Sequence, residues 1–360
     1  MMAIISSVGL GIPEFNVSQS SIKTLVEQIF PYTKKEVERL LPVFDNASIH
    51  NRQFAVDTAW FMEEHSFQEK NDLYQQESLT YSLTAMDDCL ESNQFHSENI
   101  PYEAVDMLIY VSSTGIATPS MDVRLMNERP FRADTKRMPL WGLGCAGGAI
   151  GLSRAFDWLS AHPEKTVMLV CCELCSLTFQ KNDRSKSNLI GTALFGDGVG
   201  AVLLVGEKSP YRNKGIGTKG NIKKTSSFTK KNSESIMGWK ITNHGFEVIF
   251  SKSIPSFVKT VWKDHVIDFL TEMQLEEIDS FIAHPGGKKV LQAMEETLAI
   301  EQQKLIHSYN VLMNHGNMSS ATVLYVLFEW MQDNMHPKKK SILSALGPGF
   351  SSELLLLEWI

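Results

Sequence analysis

Residues 140–160 read LWGLGCAGGAIGLSRAFDWLS, and residues 313–332 read MNHGNMSSATVLYVLFEWMQ. Each passes from a glycine-bearing turn through small residues into a largely apolar run, the pattern of a buried helix entered from a tight loop. A shift of 172 residues, from Cys145 to Asn317, sets Gly144 opposite Gly316. The same shift carries Ser112 to His284, at the ends of two other matching stretches: EAVDMLIYVSSTG (103–115) and EEIDSFIAHPGG (276–287). Both have an acidic start, an apolar strand and then small residues. FGDGVGAVLLV (195–205) and LGPGFSSELLLL (346–357) match as a turn followed by a strand, at a different shift. An internal duplication follows. It predicts two similar halves packed about a pseudo-twofold axis, with sites where equivalent loops meet.

Working outward, MMAIISSVGLGIP at the start lacks a cationic leader and reads as a first strand and turn, not as a signal peptide. Residues 18–45 and 54–95 carry helical patterns, KTVMLVCCE is a buried strand, and SSELLLLEWI is a buried last strand. Strands alternating with helices indicate an α/β architecture. Residues 1–205 form the half that carries Cys145, and 237–360 the half that carries His284 and Asn317. Residues 206–236 between them are polar, basic and rich in Gly and Ser, which predicts a surface crossover.

Composition narrows the function classes. A chain of 360 residues is too long for one small core. Its 43% hydrophobic and 21% charged residues are ordinary for a globular protein. A net charge of −7 gives no global field for nucleic acid. No uninterrupted apolar run is long enough for an integral membrane segment. The five cysteines (Cys89, Cys145, Cys171, Cys172, Cys175) are odd in number and partly clustered, which with no export signal points to a reducing cytoplasm. Cys171 and Cys175 lack a matching Cys/His pair at finger spacing, so no metal is expected.

The duplication brings Cys145, His284 and Asn317 to one place. A helix start offers free N–H groups that favour a thiolate. Gly147 and Gly148 would let backbone or substrate approach the sulfur. Histidine can pair with the thiolate and then stabilise an oxyanion, to which asparagine adds a second hydrogen bond. Taken singly, each has a plainer reading: a packed small residue, a turn and a helix cap. Their joint placement outweighs those. Papain-like proteases also run Cys, His, Asn at such spacing, but their cysteine lies near the mature N-terminus in a different motif, and they give no account of the duplication.

The motifs GLGCAGGA, ALFGDG, AHPGGKK, HGNMSSAT and ALGPGFSSELLL, in that order over roughly residues 100–360, resemble the type III polyketide synthases, the chalcone synthase-like branch of the thiolase superfamily. In general look the chain is similar to bacterial alkylpyrone and alkylresorcinol synthases. The resemblance implies a duplicated, five-layered αβαβα homodimer that needs no cofactor and takes acyl-CoA and malonyl-CoA, or methylmalonyl-CoA, as substrates. It implies Cys145 as the nucleophile, His284 and Asn317 as promoters of malonyl decarboxylation, and Phe195 as a gate between CoA tunnel and cavity. It also implies a hydrogen-bond network of Ser113, Glu173 and Ser319 beside the cysteine. Thr178 and Val248 would line the cavity, Gly347, Pro348 and Gly349 its floor, and Thr118 would cross to the partner's pocket.

The sequence departs from the plant enzymes in three places. One residue after the cysteine is missing. Val248 stands where a second phenylalanine is usual. The basic pattern for CoA phosphates is reduced to Arg39, with Pro42 and Asn46 following. Gly286, Gly287, Lys288 and Lys289 are the further candidates for CoA. An aliphatic pocket favours a long acyl starter and alkylpyrone or alkylresorcinol products. The alternatives are an initiating β-ketoacyl-ACP synthase, which shares Cys, His and Asn, and a non-catalytic acyl-binding dimer. Hydroxymethylglutaryl-CoA synthase fits less well, since it needs an acidic base by the cysteine and Glu173 is the one candidate.

Overall fold

The computed structural model describes residues 3–30, 33–333 and 335–360, with all their side chains except those of Lys34 and Val37. Thirteen strands are present among them: β1 (Ala3–Gly11), β2 (Phe15–Ser18), β3 (Asn51–Phe54), β4 (Met107–Ser112), β5 (Lys136–Trp141), β6 (Thr166–Leu174), β7 (Asp197–Gly206), β8 (Gly220–Thr229), β9 (Met237–Thr242), β10 (Gly245–Phe250), β11 (Ser280–Ala283), β12 (Lys340–Gly347) and β13 (Ser351–Trp359). Nine of them make one sheet in the order β11-β12-β13-β8-β1-β7-β6-β4-β5. Read outward from the central antiparallel pair β1–β8, the two sides repeat. β7 and β13 come next, antiparallel, then β6 and β12, antiparallel, then β4 and β11, parallel. Only β5 has no counterpart. The duplication seen in the sequence is therefore the symmetry of the sheet.

Alternate residues of each strand face different helices. From β6, Val167, Leu169 and Cys171 join a core with the helices Gly147–Ala161 and Thr322–Gln332, while Met168, Val170 and Cys172 join a second core with the helix Phe67–Glu91. The β12–β13 side does the same. Leu343 and Leu355 pack on the two central helices, and Ile342 and Leu356 on an outer pair, Lys263–Glu272 and Lys288–Leu298. The result is helix, one wing of the sheet, helix pair, the other wing, helix: five layers, with the two wings joined through β1 and β8. Burial on both faces is why these strands are unbroken apolar runs and do not alternate. The long outer helix starts at a capping box, Ser66 with Glu69, each bonding the other's backbone amide.

The polar stretch 206–236 is not a surface crossover throughout. Residues Gly220–Thr229 form β8, hydrogen-bonded on both sides, to β1 and β13. Burial falls along it, with Asn221 and Ile222 buried, Lys223 to Ser226 half-buried and the last three residues exposed, so its polar composition hides a strand whose ladder is satisfied by neighbours distant in sequence.

Two helices bracket Asn317: Ile306–His315 leads in and Thr322–Gln332 leads out. His307 ties them, with Nε2 2.6 Å from Asp333 Oδ2 and Nδ1 3.5 Å from Glu329 Oε2. Burial opposes charge on this imidazole, but the two carboxylates outweigh it and raise its pKa. The stabilisation is complete below the ordinary histidine value and is lost as pH rises through the raised folded value. Both carboxylates are exposed, which keeps the effect small. Between about pH 6 and about pH 9 the wild-type melting temperature is expected to drop by on the order of 1–2 °C more than that of His307→Gln. Parallel slopes in scanning calorimetry would reject the link.

Candidate active site

Of the five cysteines, all free, Cys145 is the one that is not fully buried. It sits in a 3-10 turn, Gly144–Ala146, just ahead of the helix Gly147–Ala161. The glycines after it serve the packing of the central helix pair. A Cβ on Gly148 would lie 2.4 Å from the carbonyl oxygen of Ser320, and one on Gly147 2.9 Å from the Ser320 Cβ and 2.6 Å from Val111. The small residues thus let the two helix starts touch. The close approach is by backbone, one of the two approaches that the sequence suggested.

The central helices begin at 147 and 322, 175 residues apart, whereas Cys145 and Asn317 are 172 apart. The structural counterpart of Cys145 is therefore Ser320, and Asn317 lies about one turn upstream. It nevertheless reaches the thiol: Cys145 Sγ donates toward Asn317 Oδ1 at 3.8 Å. That oxygen also accepts the Ser319 amide at 2.8 Å, a side-chain turn that fixes which end of the amide is oxygen. Ser319 is held with a φ of 48°, in the left-handed region. Asn317 Nδ2 points toward the Gly286 carbonyl at 3.3 Å, on the loop that follows His284. His284 comes just after β11, with its backbone amide bonded to Ser344. Its ring is buried, and neither ring nitrogen has a hydrogen-bond partner.

Burial pushes the Cys145 thiol up to about 12 and Glu173 adds to the shift, while hydrogen bonds from Ser319 and Asn317 pull the other way. Burial alone takes His284 down to about 3. Both shifts favour the uncharged forms, against the lowered thiol expected from a helix start.

The network beside the cysteine differs in detail from the expected one. Glu173 Oε2 accepts the Ser113 amide and the Thr114 hydroxyl, both at 3.0 Å, and Oε1 accepts the Ser320 hydroxyl at 2.6 Å. Ser113 in turn accepts the Gly144 amide at 3.0 Å, which fixes the turn carrying Cys145. Ser319, named from the sequence, acts through its side chain to lower the pKa of the thiol, while the hydroxyl on Glu173 Oε1 is that of Ser320. Thr114 and Ser320 were missed, though each is next to a residue that was found. Burial raises Glu173 to about 7, against the pull of its three donors.

Phe195 lines one of two neighbouring cavities. The first is apolar, about 40 Å³, with Phe195, Thr178, Val248, Trp239, Phe246 and Cys175 among its walls. Cys175 is close enough to Cys145 for their charges to interact. Val248, Trp239 and Phe246 come from the hairpin β9–β10. The second is a groove of about 460 Å³ that contains all the residues suggested for CoA: Arg39, Gly286, Gly287, Lys288 and Lys289. Asn46 lines it too, and it adds Lys186 and Lys252, which no sequence motif marked. Leu194 and Phe250 line the groove, and the Phe250 ring lies 5.9 Å from that of Phe195, so these rings stand where groove and cavity adjoin. Gly347 and Pro348 back onto the turn carrying Cys145: Pro348 would lie 2.7 Å from a Cβ on Gly144, and Gly347 packs against Ala146, while a Cβ on Gly349 would meet nothing within 4 Å. Thr118 is not at the cavity. It is exposed, in a separate depression beside Trp141 on the edge strand β5.

Two family models match this chain: the N-terminal domain of chalcone and stilbene synthases over residues 2–208, and their C-terminal domain over residues 223–360. A putative chalcone synthase of Bacillus subtilis is 48% identical over 99% of both chains. A 1,3,6,8-tetrahydroxynaphthalene synthase of Streptomyces peucetius is 34% identical over 99% of this chain and 93% of its own. An α-pyrone synthesis polyketide synthase-like protein of Mycobacterium tuberculosis is 25% identical over all of this chain and 92% of its own. Among solved structures, the tetrahydroxynaphthalene synthase of Streptomyces coelicolor, a bacterial type III polyketide synthase, superposes with a TM-score of 0.90 at 24% identity, covering 99% of both chains. No helix among the described residues is long and apolar enough to cross a membrane.

Proposed function

The chain belongs to the chalcone and stilbene synthase family and is a type III polyketide synthase, and on that premise we propose that it is an acyltransferase that extends a fatty acyl-CoA starter with malonyl-CoA units to give alkylpyrones or alkylresorcinols. One observation carries the assignment of the site. The buried His284 ring has two unpartnered nitrogens, and Gly286, two residues on, lines the lysine-bearing groove and accepts from the Asn317 amide that contacts Cys145. Buried polar atoms are nearly always paired, so free ones in such a place are kept for a substrate.

In this reading Cys145 loses its proton to His284 and attacks the starter carbonyl; CoA leaves with that proton, and the acyl group stays on sulfur as a thioester. Malonyl-CoA then releases carbon dioxide, and the enolate oxygen of the resulting acetyl-CoA carbanion is held by an N–H of neutral His284 and by Asn317 Nδ2. The carbanion attacks the thioester and expels Cys145, giving a chain two carbons longer on CoA, which reloads. A pKa near 3 keeps His284 neutral and able to donate. No cofactor enters, because decarboxylation supplies the carbanion. Lys186, Lys252, Lys288, Lys289 and Arg39 offer cations for the CoA phosphates.

The starter's tail occupies the apolar cavity behind Phe195. Its relatives' names span an α-pyrone and a naphthalene product, and the aliphatic wall here, Ile22, Leu25, Val26, Ile29 and Val248, suits an alkyl chain. A core cavity of about 150 Å³ takes up benzene, so the resting 40 Å³ has to widen on loading. The hairpin β9–β10, outside the nine-stranded sheet, forms one wall. A homodimer of a cytoplasmic protein completes the proposal, with exposed Ile116 and Trp141 beside Thr118 offering an apolar face.

Incubation with malonyl-CoA and starters from hexanoyl-CoA to stearoyl-CoA, with products identified by mass, tests the reading. Pyrones or resorcinols from the longer starters are expected; products from malonyl-CoA alone would replace it with a starter-independent synthase. Val248→Phe is expected to lower turnover of the longest accepted starter on the order of 10- to 100-fold while sparing hexanoyl-CoA. Equal losses at every length would show that the tail lies elsewhere.

A further inference from the structure

Arg52, on β3, is fully buried, and none of the chemistry above uses it. Its Nη1 donates to the carbonyl oxygens of Thr192 and Phe195, both at 2.8 Å, and its Nη2 donates to Gln19 Oε1. Gln19 Nε2 extends the cluster to the carbonyls of Phe44 and Ala193, at 3.1 and 3.0 Å. The aliphatic stem runs beneath two glycines: a Cβ on Gly196 would lie 3.2 Å from Arg52 Cβ, and one on Gly316 3.6 Å. Those glycines follow Phe195 and precede Asn317. The two segments are joined directly above the arginine, where the Asn317 amide donates to Leu194 at 2.8 Å and the Gly196 amide to Asn317 at 3.0 Å. Asp197, in charge contact with Arg52, is itself pinned by the Ala55 amide and by the Ser176 amide and hydroxyl.

We infer that Arg52 is a positioning residue which sets the gate ring of Phe195 and the amide of Asn317 as one unit. Burying a guanidinium is expensive and is offset here by carbonyls of the helix end that carries Phe195. A shift of that helix end moves the Phe195 carbonyl and, through the bridge, the backbone of Asn317. The turn that carries Cys145 is held by a different route, through Ser113 and the Gly144 amide, and its thiol meets Asn317 only across the 3.8 Å contact to Oδ1. Loss of Arg52 therefore separates the two halves of the reaction: loading on Cys145 persists, and decarboxylation, which needs the Asn317 amide aimed at the enolate, fails. The inference rests on Asn317 acting as the enolate donor.

The test uses the full-length wild type, Arg52→Met and Arg52→Lys. For each, melting temperature, the alkylation rate of Cys145 by iodoacetamide, and kcat and KM for carbon dioxide release from malonyl-CoA are measured. A displacement of the order of an ångström costs roughly 100-fold in rate. Arg52→Met is expected to lose about that factor in kcat, with KM and the alkylation rate within about threefold of wild type, and Arg52→Lys to recover part of it by reaching one carbonyl. Should Arg52→Met not fold, Arg52→Lys alone decides, with an intermediate kcat at unchanged alkylation. Retained kcat in a folded variant overturns the inference. So does a parallel fall of alkylation, melting temperature and kcat, which marks a purely structural arginine. A wild type that releases no carbon dioxide from malonyl-CoA, yet alkylates normally, refutes the reading of Asn317 instead.

Discussion

Alanine in place of Cys145 abolishes product formation from every starter, a loss of at least about 10³-fold in kcat, comparable to removing the nucleophile of a serine protease. The size follows from the site. The other four cysteines are buried, and Cys171, Cys172 and Cys175 stay protonated because burial raises them beside Glu173. None replaces the thiol that Asn317 and Ser319 contact. The substitution removes only the sulfur. Ala146, Gly147 and Gly148 continue to pack on Gly347 and Ser320, so the melting temperature is expected to stay within about 2 °C. Malonyl-CoA decarboxylation is expected to outlive the substitution, since its donors are His284 and Asn317. A variant that still forms labelled product would remove Cys145 from the mechanism.

Asn317→Asp tests the second half of the chemistry and is expected to cost on the order of 10²–10³ in the rate of decarboxylation, the usual effect of losing one oxyanion donor. Aspartate keeps an oxygen to accept the Ser319 amide, so the turn and its left-handed serine persist. The Nδ2 donor becomes an acceptor facing the developing enolate. Asn317→Ala, which also releases Ser319, loses activity and stability together. Comparison of the two by stopped-flow carbon dioxide release and calorimetry separates electrostatics from folding. Full decarboxylation by Asn317→Asp would mean that His284 suffices.

Much of this architecture was legible from repetition. Two helix starts, two strand ends and two closing strands matched before any contact was known, and the sheet shows them as mirror positions about β1–β8. What stayed hidden depends on distance in space. β8 is written in lysines, serines and threonines because its stability comes from ladders to β1 and β13, not from its own apolar pattern. The three-residue offset between helix starts and the Cys145–Asn317 spacing is invisible in a shift of short motifs, so Ser320, the true counterpart of Cys145, went unmarked. Lys186 and Lys252 join the groove proposed for CoA from a helix and a loop some 65 residues apart, and Arg52 lies under a bridge between segments more than a hundred residues away. The thiolate expected of Cys145 was a local inference; burial, a property of the whole fold, reversed it.

The central claim is that Cys145 carries the starter as a thioester. The most direct measurement mixes the wild type with palmitoyl-CoA in the absence of malonyl-CoA, quenches in acid, digests and reads the acylated peptide by mass spectrometry. A palmitoyl adduct on the peptide containing Cys145, discharged when malonyl-CoA is added before the quench, is the predicted result. No adduct there, or an adduct on another residue with malonyl-CoA still consumed, would contradict it.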